Sequence, residues 1–434
     1  MKTTSRMKRG ILASVLFLLL MVMWFLFRFK YPSLQKEIKF IQLPNIPTDV
    51  FFYAAMLTLA LLALCWLIRN KIWYGLGHAF DHYLMTKQLR KQLLIAGYEE
   101  NKINEDIGLT LPEIHIKFDD KKARLTGRIK IKNSVKLDKL LEKIRLDSAL
   151  PNYLIDRQYL SRDRNWYIFE FYATDVLKQS EFKTKRSYID WSNENTDNYS
   201  LRIDERTIVP IHMMGVAGVT GSGKSMAIQA LCEQIMTKSI NHKLFVIDPK
   251  MADLYYFGKS VLSPFHVASK DGAILLLREF EKRMVERQKD LEPFFFANKN
   301  QDYTKANLPA LILLIDEFGA LHESWKLLPK KDRDEIDALL ANIAFMGRQI
   351  GCFLWISTQQ MNAQTVPTAI RDQLVIKMTL GNSDEQTYRT LFASGVQIPK
   401  IDFKPGQGVI SSPSVATVEH PRLLNIPYCS FLKT

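Results

Sequence analysis

Gly218-Val-Thr-Gly-Ser-Gly-Lys-Ser225 decides the reading of this chain. It satisfies G-x-x-x-x-G-K-[S/T] at every position. An apolar stretch, Ile211–Ala217, precedes it, and a helical pattern, Met226–Lys238, follows it. Strand, loop and helix in that order are the context the motif needs. The glycines allow a tight turn in which successive N–H groups converge, and the helix adds the positive end of its dipole. Gly218, Val219, Thr220, Gly221, Ser222, Gly223, Lys224 and Ser225 are therefore expected to cradle the phosphates of a nucleotide. Lys224 is expected to reach the β- and γ-phosphates and the Ser225 hydroxyl to ligate Mg²⁺, so ATP and Mg²⁺ are the expected cofactors.

Downstream, Ala310-Leu-Ile-Leu-Leu-Ile-Asp-Glu317 is an apolar run ending in two acids. Such a run reads as a fully buried strand that delivers carboxylates to its C-terminal edge. Asp316 is the expected second protein contact to Mg²⁺. Glu317 is the expected acceptor for the proton of the attacking water. Two more buried strands fit the same sheet, Lys243–Ile247 ending in Asp248-Pro-Lys250, and Cys352–Ile356 ending in Ser357-Thr-Gln-Gln360. Ligands of open α/β sheets sit beyond the carboxyl ends of the strands, so Gln359 is the candidate sensor of the γ-phosphate. An ordinary polar turn is its bland alternative.

Composition limits the rest. The 434 residues allow two or three domains at about 150 residues each. Apolar residues make up 47% and charged residues 24%, which excludes a mainly disordered chain. Cys65, Cys232, Cys352 and Cys429 lie far apart with no CxxC pair, against a zinc ribbon or a disulfide scaffold. The net charge of +14 points to an anionic partner, nucleic acid or acidic lipid. Residues 1–205 hold 33 Lys+Arg against 23 Asp+Glu, so most of the excess lies in the N-terminal half.

Two runs there are free of charge, Ile11–Phe27 and Val50–Ile68. At 1.5 Å per residue they reach about 26 and 28 Å, close to the hydrocarbon core of a bilayer. Lys2, Arg6, Lys8 and Arg9 would also suit a signal peptide, but no small-residue cleavage site follows. A two-span membrane anchor over 1–71 is the expectation. Basic residues flank both spans, Arg28, Lys30, Lys36 and Lys39 lying between them, and the charge rule favours both ends in the cytoplasm. Residues 72–104 read as a juxtamembrane helical segment. Residues 105–178 read as a small basic α+β domain, with a hairpin over Glu113–Lys132, a helix over Val135–Leu146 and a strand over Asn165–Ala173. Within 115–145 there are 11 Lys+Arg against 4 Asp+Glu, a surface suited to the phosphates of DNA, with Lys121, Lys122 and Arg124 foremost. Residues 179–200 read as a polar linker, and 201–434 as the nucleotide-driven domain, closed by strands at Gly408–Ser411 and Val415–His420.

HMMGVAGVTGSGKS, FVIDPKMADL, LILLIDEFGAL and GRQIGCFLWISTQQ stand in one order and spacing across about 201–411. Together they resemble the motor of the FtsK/SpoIIIE translocases, membrane-anchored hexameric ATPases that pump double-stranded DNA. The resemblance implies an α/β fold with a RecA-like P-loop (ASCE) motor, here preceded by two transmembrane helices and a small α+β domain. It also implies a homo-oligomeric ring in which a neighbour supplies an arginine, Arg348 being the first candidate and Arg371 the second. Division-type members carry more spans, a long linker and a C-terminal reader module. Two spans, a compact basic domain and a bare motor look more like the TcpA-like coupling proteins of Gram-positive conjugative elements. That branch implies DNA, a relaxase and mating-channel proteins as partners. A chromosome-partitioning pump and a type VII-like protein-secretion ATPase are the competing expectations.

Overall fold

The computed structural model describes residues 5–30, 49–95, 111–121, 123–134, 146, 150, 152–174, 179–396, 398 and 401–433. The chain divides into two compact units, Met1–Val176 and Leu177–Thr434.

In the first unit, α1 (Ser5–Phe25, continuing to Lys30) and α2 (Asp49–Arg69) lie side by side. The rings of Phe27 and Phe51 stack at 5.4 Å and those of Trp24 and Phe52 meet at 5.3 Å. Leu12–Lys30 and Asp49–Arg69 each have mean hydropathy 2.3 and are almost entirely unburied. A core helix of a soluble protein would bury such a surface. These two helices are long and apolar enough to cross a membrane.

Next comes α3 (Leu76–Ile95), then β1 (Ile114–Phe118), β2 (Thr126–Lys132), β3 (Tyr153–Leu160) and β4 (Trp166–Ala173). The strands form an antiparallel sheet in the order β1-β2-β4-β3, with Ile116 opposite Ile129. Alternation decides its faces. Ile116, Phe118, Ile129, Ile131, Phe169 and Phe171 turn inward, where Met85, Leu89 and Leu93 of α3 cover them. Each such buried side chain stabilises the unit by roughly 1.5–3 kcal/mol. The segment read as a juxtamembrane helix is thus half of this two-layer core. Residues 135–145 of the expected helix lie outside the described residues.

The second unit opens with β5 (Glu181–Phe182) and α4 (Lys185–Asn193), inside the stretch read as a linker. Thr184 caps α4 by accepting from the Ser187 N–H, and Tyr188 is buried with Ala230 and Cys429. A hairpin of β6 (Ser200–Asp204) and β7 (Thr207–Pro210) follows. The main sheet contains β8 (Met214–Gly218), β9 (Lys243–Ile247), β10 (Val267–Ala268), β11 (Leu311–Ile315), β12 (Cys352–Thr358) and β13 (Ile376–Leu380), all parallel. β14 (Gln407–Ser411) and β15 (Arg422–Asn425) extend it antiparallel, giving the order β10-β9-β11-β12-β8-β13-β14-β15. The connections supply α5 (Lys224–Thr237), α6 (Asp253–Val261), α7 (Ala273–Ala297), α8 (Phe318–Trp325), α9 (Lys330–Ile350), α10 (Thr368–Arg371) and α11 (Glu385–Leu391), and β16 (Tyr428–Cys429) pairs in parallel with β5. Helices must cover a parallel sheet, and β11 and β12 are accordingly buried along their whole length.

This is an α/β P-loop motor fold with a mixed sheet. One expected strand is displaced. At Val415–His420 the N–H groups of Val415 and Ala416 both return to the Ser412 carbonyl, so this backbone turns and the ladder resumes at Arg422.

Candidate active site

Parallel pairing brings the carboxyl ends of β8, β9, β11 and β12 to one edge. There a cleft of about 550 Å³ opens, lined by Gly218–Gly221, Gly223, Lys224, Ser225, Lys250, Glu317 and Gln359, among others. The loop needs its glycines. Gly221 and Gly223 have φ of 82° and 87°, where a side chain is strained. A Cβ on Gly218 would stand 2.6 Å from Ser222 Oγ and 2.9 Å from the Leu380 carbonyl oxygen. Gly223 caps α5, and Lys224, the first residue of that helix, is buried.

Three cationic or amide groups converge on one oxygen. Lys224 Nζ stands 3.4 Å from Glu317 Oε1, Lys250 Nζ stands 3.3 Å from it, and Gln359 Nε2 donates to it at 3.3 Å. Glu317 has φ 42° and ψ 44°, a left-handed conformation that turns the chain sharply between β11 and α8. Strain of this kind costs about 1–3 kcal/mol and persists where its surroundings impose it. Asp248 fixes the loop bearing Lys250 by accepting from the N–H groups of Lys250, Ala252 and Tyr255.

The two acids at the end of β11 differ in environment. Burial pushes the Glu317 carboxyl up, but Lys224 and Lys250 outweigh it and hold the group below the usual carboxylate range. Burial pushes the Asp316 carboxyl up as well, and there Ser357 and Lys224 offset it only in part, while Asp248 adds to it. Asp316 Oδ1 and Ser222 Oγ are buried with no hydrogen-bond partner. A buried carboxylate oxygen without a partner suits a cation. Among the described residues no group of three His, Cys, Asp or Glu side chains is placed to hold a metal. Mg²⁺ fits Asp316 together with Ser225 of the cleft wall, because it takes one or two protein oxygens and completes its shell from water and phosphate.

Arg348 and Arg371 are not brought to the cleft. Arg348 is exposed in the last turn of α9, and together with burial its charge pushes His212, just before β8, down to about 4. Arg371 ends α10 ahead of β13 and donates to Thr368 Oγ1. Both therefore stand at the amino ends of the strands. β12 alone spans about 20 Å between that edge and the phosphate loop.

Part of the wall escapes the sequence reading. Lys250 follows β9, and the rule that selects Gln359 after β12 selects it equally. Gln179, Gly406, Tyr428 and Lys433 also line the cleft. Gln179 Nε2 donates to the Ile426 carbonyl at 2.7 Å, and Lys433 Nζ lies 5.1 Å from the Tyr428 ring centroid. The β5–β16 pairing and the antiparallel run of β14, which starts where the Gly406 N–H donates to the Ser222 carbonyl, bring these residues in, and neither leaves a local sequence signal.

Residues 175–306 match the FtsK/SpoIIIE family, and the chain carries a domain of that family. The FtsK domain-containing protein YdcQ of Bacillus subtilis is 24% identical over 326 residues, 72% of this chain and 65% of that protein. The DNA translocase FtsK of Halalkalibacterium halodurans is 26% identical over 211 residues, 44% of this chain and 26% of that protein. The chain thus spans just under two thirds of the first relative and about a quarter of the second. Among solved structures, the pCW3 conjugation coupling protein TcpA with ATPγS has a TM-score of 0.45 at 15% identity, covering 74% of this chain and 89% of that one. The cytoplasmic domain of the Thermomonospora curvata type VII secretion ATPase EccC has a TM-score of 0.40 at 17% identity, covering 53% and 29%.

Proposed function

We propose that this chain is a membrane-anchored, ATP-driven DNA translocase that serves as a coupling protein feeding DNA into a conjugative channel. One observation carries the motor reading: Lys224, Lys250 and Gln359 converge on Glu317, next to a buried Asp316 whose Oδ1 has no partner.

The chemistry follows from these groups. Loop N–H groups and Lys224 take the β- and γ-phosphates of ATP, which draws the Lys224 ammonium away from Glu317. Ser225 and Asp316 would hold Mg²⁺, which when bound supplies neutralisation of phosphate charge. Glu317, kept ionised by its cations, then accepts the proton of the attacking water. Gln359 links Glu317 to the end of β12 and so reports whether the γ-phosphate is present. No arginine is among the described residues lining the cleft. An arginine finger contributes about 10³–10⁵ in rate, so the site is completed by Arg348, or else Arg371, from a neighbour in a homo-oligomeric, hexameric ring.

DNA as the substrate is supported by the relatives named DNA translocases and by the outer face of the small sheet. There Lys117, Lys130 and Lys132 alternate outward and exposed, with Arg128 between them held 3.4 Å from Glu170 Oε1. Lys121 and Arg124 are engaged within their own unit instead: Arg124 Nε lies 2.6 Å from Asp81 Oδ2, and Lys121 Nζ sits 4.0 Å from the Tyr74 ring centroid. Lys122 lies outside the described residues. The two apolar helices support a membrane anchor with the motor on the cytoplasmic side, where ATP is. A relaxase and mating-channel proteins are the partners this role requires.

Full-length protein in detergent tests the reading directly. Duplex DNA is expected to stimulate ATP hydrolysis and to drive displacement of a triplex-forming strand. Stimulation by a secreted polypeptide with no response to DNA would transfer the chain to the protein-secretion motors.

A further inference from the structure

We propose that α3 is an interfacial helix, seated in the headgroup region of the bilayer beside the end of α2. Lys71 and Gly75, with φ of 58° and 108°, reverse the chain between the two helices. The reversal sets the start of α3 beside the last turn of α2. The Phe80 and Tyr83 rings meet the Trp66 ring at 5.7 and 5.8 Å, and His82 Nδ1 lies 3.2 Å from Asn70 Oδ1. Trp66 stands three residues inside the end of α2, about 4.5 Å along its axis. Phe80 is therefore held at the depth of a tryptophan near the end of an apolar span, the level at which aromatic rings gather at membrane surfaces.

The helix is apolar on two opposite faces. Met85, Leu89 and Leu93 are spent on the sheet of its own unit. On the other side Leu76, Phe80 and Leu84 recur every fourth residue and are 67%, 54% and 45% exposed, with Trp73 at 60% just ahead of them. The same stripe continues into exposed Lys87 and Lys91. Apolar side chains close to the span and ammonium groups further along match a surface that offers acyl chain first and phosphate next. Covalent continuity with α2 selects the bilayer as the occupant. The proposal rests on α2 crossing a membrane.

Nitroxide labelling of the full chain, reconstituted in vesicles of phosphatidylethanolamine and phosphatidylglycerol, separates the two ideas. Cys65, exposed on α2, carries the label in the natural sequence, the other three cysteines being buried. Leu76→Cys and Leu84→Cys, each with Cys65→Ser, place it on the outer stripe, and Arg162→Cys places it on an exposed turn of the sheet. The ratio of collisions with oxygen to collisions with a water-soluble nickel chelate is expected to be several-fold higher at 76 and 84 than at 162, approaching that at Cys65. Ratios at 76 and 84 equal to that at 162, with Cys65 still in lipid, would overturn the interfacial helix and leave the span intact. An aqueous Cys65 would remove the span and this inference with it. Shielding of 76 and 84 from both reagents, with spectral broadening that disappears on dilution with unlabelled chain, would make the occupant a second copy and overturn the proposal too.

Discussion

Glu317→Gln should divide binding from hydrolysis in an unusual direction. The amide keeps the shape and an acceptor oxygen but removes a negative charge 3.4 Å from Lys224 Nζ and 3.3 Å from Lys250 Nζ. At 3.4 Å, opposite unit charges attract by about 1 kcal/mol under full water screening and by about 5 kcal/mol at an effective dielectric of 20. Lys224 is buried, and the cleft admits water, so the working value lies between these bounds. In the substituted protein that attraction no longer competes with the phosphates. ATP is expected to bind about tenfold tighter or better, since each 1.4 kcal/mol is a factor of ten. Hydrolysis is expected to fall by about 10²–10⁴, the usual contribution of a positioned base. Titration with a fluorescent ATP analogue at fixed Mg²⁺ reads the first quantity and single-turnover hydrolysis the second. If nucleotide binding weakened as severely as hydrolysis, Glu317 would be a structural support of the loop and the proton-acceptor role would be wrong.

Lys224→Ala should abolish turnover, yet Lys224→Ala and Arg348→Ala chains mixed together should regain part of it, because some composite sites stay intact; normal hydrolysis by Arg348→Ala alone would shift the finger to Arg371. Asp316 has a raised carboxyl in the fold, so the stability linked to its protonated form is lost as pH rises through the folded value. With chelator present, Asp316→Asn should therefore raise the Tm at neutral pH and leave it unchanged in acid, and a lower neutral Tm would contradict this. Tyr428 presents its ring in the cleft wall and is expected to stack on the base of ATP, so Tyr428→Ala should raise the KM roughly two- to tenfold with little change in kcat, whereas an unchanged KM would place the base elsewhere. Lys117, Lys130 and Lys132 changed together to Ala should weaken DNA binding equally for unrelated sequences. The salt slope should flatten by up to about 0.9 for each phosphate that is no longer neutralised, and an identical slope would assign that face to solvent.

The phosphate loop, the buried strands and the acids at the end of β11 were legible because each depends on local rules. Glycine spacing sets a turn, and an unbroken apolar run sets a strand buried on both faces. What stayed hidden depends on distant pairing. β13 is a short run, Ile376–Leu380, whose place beside β8 is a matter of topology. Tyr428 reaches the cleft only because β16 finds β5 more than two hundred residues earlier. The polar composition of 179–200 concealed α4, whose burial is concentrated at Tyr188 and Ser192. Charge density was also a poor guide to free charge. The densest basic cluster includes Arg124, which holds Asp81, whereas the outward basic row appears only once the hairpin register is known.

The pairing of β5 with β16 gives the motor a mechanical property. A pull on the chain entering near residue 179 first loads the bonds from the Tyr428 N–H to the Ser180 carbonyl and from Gln179 Nε2 to the Ile426 carbonyl. Parallel strands loaded end to end resist in shear, so the bonds share the tension and do not open one after another. Tyr428 and Gln179 also form one wall of the nucleotide cleft. Tension entering the chain there is thereby delivered to a wall of the cleft, and the proposed motor would register load in its turnover.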